Sequence, residues 1–405
     1  MTSPILVTKL FIPAARPNLV KRSRLIERLD GGLNRKLTLI SAPAGFGKTT
    51  LVTEWLEHLR SDSNSKSQTV KTQFIWLSLD DADNDPARFL TYLSAALEQI
   101  DQIDTAEVTS MLQSPQLPPV ESLLTPLINQ AAAVPDRVVF VLDDYHLIEA
   151  QPVHDALAFL LGNLPPQMHL VIATREDPLL PLSRLRGRRQ ITELRAADLR
   201  FTNAEAADFL NQVMGLELSA ADIATLERRT EGWIAGLQLA AISMRSLEDT
   251  ASFIQSFSGS NRLVLDYLIE EVLNQQPQDV QDFLLQTSIL KRLNGSLCQA
   301  VTGQEDSQAT LELIDRLNLF VIPLDEQRRW YRYHHLFADL LLQRMNASNP
   351  GLIKELHNRA VNWYERNGDL SEAIQHALAG NDINTAARLT EIGALDALER
   401  SDFGF

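Results

Sequence analysis

Between residues 36 and 195 apolar residues come in short, nearly unbroken runs, whereas beyond residue 201 they recur at every third or fourth position. Unbroken runs mark strands buried on both faces, and the 3.6-residue recurrence marks amphipathic helices. Strands are predicted at 36–41, 74–79 (FIWLSL), 137–143 (RVVFVLD), 169–174 (HLVIAT) and 191–194 (ITEL), with helices between them at 49–60, 87–100, 120–133 and 152–162. Such alternation predicts an α/β domain, a parallel sheet with helices on both faces. Asp85 reads as an N-cap with Pro86 in the first helical turn. The polar run 61–73 reads as a mobile surface loop. Ahead of the domain, residues 1–30 hold an extended, proline-punctuated piece (Pro4, Pro13, Pro17) and a short helix from Arg22 to Leu29.

Beyond residue 201 strand signals almost cease. Thr202 or Asn203, with Glu205 close behind, reads as the cap of a helix carrying Ala206, Phe209 and Leu210. Further helices are expected at 220–229, from Trp233 to Ile242, and at 262–275, 278–288, 295–302 and 308–318. Two strands, Leu319–Leu324 and Arg328–Tyr333, follow across Asp325-Glu326-Gln327, and a helix covers 335–345. Helices closed by a terminal hairpin predict a winged-helix module. Residues 352–392 hold two helical hairpins: His357, Ala360, Trp363 and Tyr364 line one helix, and Ala373, Ile374, Ala377 and Leu378 the next. This pair resembles a tetratricopeptide unit, which needs about three copies to be stable. The chain therefore reads as stopping at the threshold of a helical array, with SDFGF as an artificial end.

The segment KLTLISAPAGFGKTT (36–50) places a strand, a small-residue loop and a helix in succession, the context of a phosphate-binding P-loop. Its amides, from Ala44 through Gly45, Phe46, Gly47, Lys48 and Thr49 to Thr50, form an anion cradle at a helix N-terminus. Lys48 offers a cation to the β- and γ-phosphates and Thr49 a hydroxyl to Mg²⁺. Ala42 stands where the usual pattern has glycine, and Gly45 lies inside the loop. A Walker B pattern follows at Val138–Leu142 with Asp143 and Asp144. Asp143 would join Thr49 on Mg²⁺, and Asp144 would orient the attacking water. Arg175 follows the strand ending at Thr174, at the edge where open α/β sheets bind ligands. It is the candidate γ-phosphate sensor; the alternative is an ion pair with Glu176 or Asp177. Arg184, Arg186, Arg188 and Arg189 form a basic cluster, either a solvated loop face or an inter-subunit arginine finger. Asp81–Asp85 resembles the opening of a calcium loop, but Pro86 stands at the glycine position, which argues against calcium.

Composition narrows the picture further. With 405 residues the chain holds two to four domains. A net charge of −15 is unsuited to direct nucleic-acid binding, so a DNA role would reside outside this chain. The single cysteine, Cys298, excludes an internal disulfide framework and fits a reducing cytosol. No apolar run has membrane-spanning length and the N-terminus lacks signal-peptide features; the expected location is cytoplasmic, with no membrane partner.

TKLFIP (8–13), SAPAGFGKTT (41–50), WLSLDDADNDPARFLTYL (76–93), VVFVLDDYHLI (138–148), VIATRED (171–177), DLRFTNAEAADFL (198–210), TEGWIAGLQLAA (230–241) and YRYHHLF (331–337) occur in this order. The set resembles the N-terminal module of the MalT-like large ATP-binding LuxR-type transcriptional regulators, in the STAND class of signal-transduction P-loop NTPases. Ala42 fits that family's APAG-x-GKT loops. The resemblance implies an N-terminal segment (1–30), an α/β P-loop nucleotide-binding domain (31–197), an all-α helical domain (198–260), a winged-helix domain (261–347) and the start of a helical arm (348–405). It also implies an ADP-bound closed resting state, ATP-dependent opening and self-association, and slow hydrolysis. An effector would act through a C-terminal sensor array and DNA through a C-terminal helix-turn-helix, neither of them in this chain. By the same resemblance His334, more than His335, would reach the β-phosphate of ADP, and Val20, Lys21 and Arg22 would flank the adenine. The alternatives are an AAA-type remodelling ATPase, a non-hydrolysing scaffold and a small-molecule kinase.

Overall fold

The computed structural model describes residues 5–14, 18–63, 71–100, 102–114, 117–245 and 249–399, which fold as two compact units. The first comprises residues 1–218 together with Trp233–Ala235, the second 219–232 and 236–405.

The first unit opens with α1 (Ser23–Asp30), β1 (Leu37–Ser41), α2 (Lys48–Ser63), β2 (Thr72–Ser78), α3 (Pro86–Leu97), α4 (Ala106–Leu112) and α5 (Val120–Ala133). It continues with β3 (Arg137–Asp143), α6 (Gln151–Gly162), β4 (Met168–Thr174), α7 (Leu182–Gly187), β5 (Ile191–Arg195), α8 (Ala196–Leu199) and α9 (Asn203–Ala207). The strands pair in parallel in the order β2-β3-β4-β1-β5, so β4 lies between the P-loop strand and the strand ending at Asp143. The alternating set Leu37, Leu39, Val138, Phe140, Leu142, Leu170 and Ile172 joins apolar residues of α3 to α6 in one core. On the opposite face Thr38 bonds His169 at 2.9 Å and Trp55 of α2 meets that imidazole edge-on. Burying both faces requires the unbroken apolar runs seen in the sequence.

Asp85 accepts from the Arg88 amide with Pro86 in the first turn of α3, and Thr202 caps α9 in a box with Glu205. The acids of 80–85 cap helices and meet Lys9, which is buried over the Tyr92 ring and paired with Asp80 and Asp83. Four expectations change. Residues 61–63 extend α2, residues 72 and 73 begin β2, and 64–70 lie outside the described residues. The N-terminal piece makes a 3₁₀ turn at Val7–Leu10; Pro4 and Pro17 lie outside the described residues. Arg184 and Arg186 sit on a helix anchored by buried Leu182 and Leu185, not on a loop. Helix α4 was not anticipated.

The second unit contains α10 (Ala220–Thr230), most of α11 (Ile234–Met244), α12 (Thr250–Ser256), α13 (Arg262–Leu268), α14 (Gln278–Thr287), α15 (Gly295–Thr302) and α16 (Ser307–Arg316). After these come β6 (Val321–Pro323), β7 (Tyr331–Tyr333), α17 (His335–Ser348), α18 (Pro350–Arg366), α19 (Leu370–Ala379) and α20 (Ile383–Glu399). Strands β6 and β7 form an antiparallel hairpin, and a bridge from Leu293 to Tyr331 adds a third short edge, the arrangement of a winged helix. Helices α18 to α20 make the antiparallel hairpins expected of the tail, with His357 and His376 in contact through their Nδ1 atoms at 2.9 Å. Burial pushes the Cys298 thiol up to about 12, which leaves it inert.

Candidate functional site

The P-loop turns on two glycines in the left-handed region, Gly45 at φ +75° and Gly47 at φ +73°, which side chains disfavour. Lys48 opens α2 and folds back on the loop, its Nζ donating to the carbonyls of Ala42 at 2.8 Å and Pro43 at 3.0 Å. Burial first, and then the nearby Arg175 charge, lower the Lys48 ammonium to about 8, against the pull of Asp144 and Asp143. Two further loop carbonyls are taken by a distant segment. The Trp233 indole donates to Ala44 O at 3.0 Å and the Ala235 amide to Gly45 O at 3.1 Å.

Thr49, one residue beyond the lysine, donates its hydroxyl to Asp143 Oδ2 at 2.9 Å, joining the P-loop to the end of β3. Asp143 is buried, and burial followed by the Asp144 charge raises its carboxyl to about 6, against the Thr49 hydroxyl, the Asp144 amide and Lys48. A hydroxyl and a buried carboxylate side by side are hard oxygen donors that suit Mg²⁺, and a divalent cation would relieve the carboxylate's burial. Asp144 adopts a left-handed backbone (φ 55°) that turns its half-exposed side chain off the strand end. Arg175 follows β4, between the two Walker strands, and its charge is felt at Lys48 and His146.

Sequence reasoning assigned His146 no role, although it lies three residues past Asp143 in the quoted DDYH run. Its Nδ1 is buried without a hydrogen-bond partner, 3.9 Å from Asp144 Oδ1. Burial, then Arg175 and Lys48, hold the imidazole at about 3, so it stays neutral. Trp233 was equally missed, and no local signal ties it to a loop 189 positions away.

The structure brings Lys48, Thr49, Asp143, Asp144 and Arg175 together. Arg22 is buried with its guanidinium over Phe201 and bonded to the carbonyls of Leu199 and Arg200, leaving Nη1 without a partner. His334 lies in the second unit, its Nε2 2.9 Å from Thr230 O. His335 is exposed and pairs with Glu231. Glu231 is left-handed (φ 49°) and accepts a bidentate pair from Arg332, both distances 2.8 Å. Against the upward pull of burial, Arg332 and His334 hold that carboxyl at about 2. Arg186 is engaged by Glu193 in two bonds of 2.9 and 2.8 Å.

Residues 18–173 match the family described as AAA ATPase domain, and residues 269–353 the MalT winged helix domain. The chain is 34% identical over 400 residues to the serine/threonine-protein kinase PknK of Mycobacterium tuberculosis, covering 99% of this chain and 35% of PknK. It is 36% identical over 382 residues to the HTH-type transcriptional regulator MalT of Cronobacter sakazakii, covering 93% and 41%. The chain thus spans about two fifths or less of these relatives' length. The Walker-type ATPase PABY2304 of Pyrococcus abyssi shares the fold, with a TM-score of 0.55 at 14% identity over 81% of this chain and 97% of that one.

Proposed function

Because the chain is similar to MalT over 93% of its length and matches the AAA ATPase and MalT winged helix domains, we propose that it is a MalT-like STAND-class P-loop NTPase, the ATP/ADP switch module of a transcriptional regulator. The observation that carries this reading is the Thr49–Asp143 hydrogen bond beside Lys48, which assembles both halves of a nucleotide site. In the proposed cycle Lys48 leaves the Ala42 and Pro43 carbonyls for the β- and γ-phosphates. Thr49 and Asp143 would hold Mg²⁺, which would supply charge neutralisation to the phosphates when bound. Asp144 orients water, and neutral His146 beside it adds no competing charge. Arg175 reads the γ-phosphate from the strand end. Hydrolysis is slow, and loss of the γ-phosphate changes which state the nucleotide favours; the shift equals its differential affinity for the two states. ADP holds a closed resting state, Arg22 lies near the adenine, and ATP favours opening and self-association. The module works in the cytoplasm; among the described residues no helix is long and apolar enough to cross a membrane. Effector and DNA contacts lie outside the chain. The kinase name carried by PknK fits a module that can serve more than one output.

Titration calorimetry with ADP and ATP, followed by phosphate release, tests the reading. Lys48→Ala is expected to weaken nucleotide binding at least tenfold, and Asp144→Ala to keep binding while abolishing turnover. Normal binding and turnover in both variants would remove it. Gel filtration in ADP and then ATP separates a switch from a preformed remodelling ring, which turns over fast and shows one size in both nucleotides.

A further inference from the structure

Three consecutive residues, Trp233, Ile234 and Ala235, fold with the first unit although the chain on either side folds with the second. Each of the three meets the P-loop. The buried indole of Trp233 donates to Ala44 O, the Ala235 amide donates to Gly45 O, and Ile234 Cδ1 lies 3.0 Å from where a Cβ on Gly47 would stand. In a planar trans peptide the carbonyl of one residue and the amide of the next point to opposite sides. Holding the Ala44 carbonyl outward therefore aims the Gly45 amide inward, and holding the Gly45 carbonyl does the same for the Phe46 amide. Those are amides of the anion cradle. Ile234 abuts the second turning glycine, the left-handed Gly47.

We infer that Trp233 and Ala235 are positioning residues of the phosphate site: they set the direction of the P-loop amides that receive the β-phosphate. Neither touches the nucleotide, and both act through the loop backbone. The inference rests on the nucleotide-site reading above. A glycine-rich loop has many competing backbone states, and a loop whose peptides are held from outside pays less ordering entropy when it binds. The clamp thus contributes to affinity for phosphates and not to affinity for base or ribose.

The test is calorimetric titration of the full chain with ADP and with adenosine, on wild type, Trp233→Phe, Ala235→Pro and Lys48→Ala. Trp233→Phe keeps an aromatic ring and removes the indole N–H. Ala235→Pro removes the amide at the first turn of α11, where proline is tolerated. Loss of one such bond is expected to weaken ADP roughly five- to tenfold and to leave adenosine unchanged. Should Trp233→Phe fail to fold, Ala235→Pro carries the test alone. Unchanged ADP affinity in a folded variant, with or without a lower melting temperature, overturns the clamp, as does an equal loss for adenosine and ADP. Wild type that does not bind ADP, or Lys48→Ala that binds as wild type does, overturns the underlying site reading instead.

Discussion

Replacing Asp143 with Asn should stabilise the nucleotide-free protein while disabling the proposed Mg²⁺ site. The native fold raises this carboxyl from 3.8 to about 6 through burial and the neighbouring Asp144 charge. Between those values the native state binds more protons than the unfolded state, so stability falls as pH rises through the window. The penalty is small at pH 4, grows through pH 5 and 6, and levels off at about 3 kcal/mol near pH 7. Asparagine is a neutral isostere whose single oxygen, standing where Oδ1 does, still accepts from the Thr49 hydroxyl and the Asp144 amide, so most of the penalty should vanish. The assay is differential calorimetry in chelator from pH 5 to 8, following the transition that ADP with Mg²⁺ shifts in wild type. Asp143→Asn is expected to be more stable by about 1–3 kcal/mol at pH 7.5, with the gap narrowing toward pH 5. With saturating ADP and Mg²⁺ the gap closes or reverses, since a ligand at a hundred times its Kd contributes about 2.7 kcal/mol to the wild type. A variant less stable than wild type at pH 7.5 in chelator, or a gap that does not change with pH, would refute the reasoning.

The Lys48 ammonium, lowered to about 8 by burial and then Arg175, should make ADP affinity level below pH 7 and falling above pH 8, toward tenfold per pH unit, with proton uptake on binding that calorimetry in buffers of different ionisation heat detects. Arg332→Ala should cost the second unit about 2–4 kcal/mol, because it removes the bidentate cationic partner of the buried Glu231 carboxylate. Adding Glu231→Gln should recover at least half, and denaturant unfolding of both variants checks it.

Most of the first unit was legible in the sequence because its strands are buried on both sides. The run Val138–Leu142 matches β3 because uninterrupted apolar residues between Arg137 and Asp143 leave it no other register. Strand ends near hairpins were less legible. Leu319–Leu324 reads as one strand, yet Asn318 and Phe320 take left-handed backbones (φ 51° and 55°), and β6 begins only at Val321. Composition left Thr202 and Asn203 equivalent as caps; the Glu205 side chain, returning to the Thr202 amide at 2.8 Å, decides for Thr202. For the site, the P-loop and Walker acids declared themselves because phosphate and magnesium demand fixed residue types at fixed spacing. His146 carried a signal, its place just past the acids, but its neutrality arises from burial and two cations in the folded chain. Trp233 carried none, since a hydrogen bond to a backbone carbonyl leaves no mark on the sequence of the loop that accepts it.

That the first unit borrows three residues from beyond Leu218 bears on how such proteins can be cut and recombined. A fragment ending there keeps every Walker residue and every strand of the parallel sheet, yet it leaves the Ala44 and Gly45 carbonyls without their donors. A chimaera made with this chain meets that seam: its P-loop, grafted without the native Gly232–Gly236 stretch, loses the tryptophan and amide that hold it. The smallest cassette that keeps the loop with its donors is therefore discontinuous, and a swap at the apparent domain border parts the two.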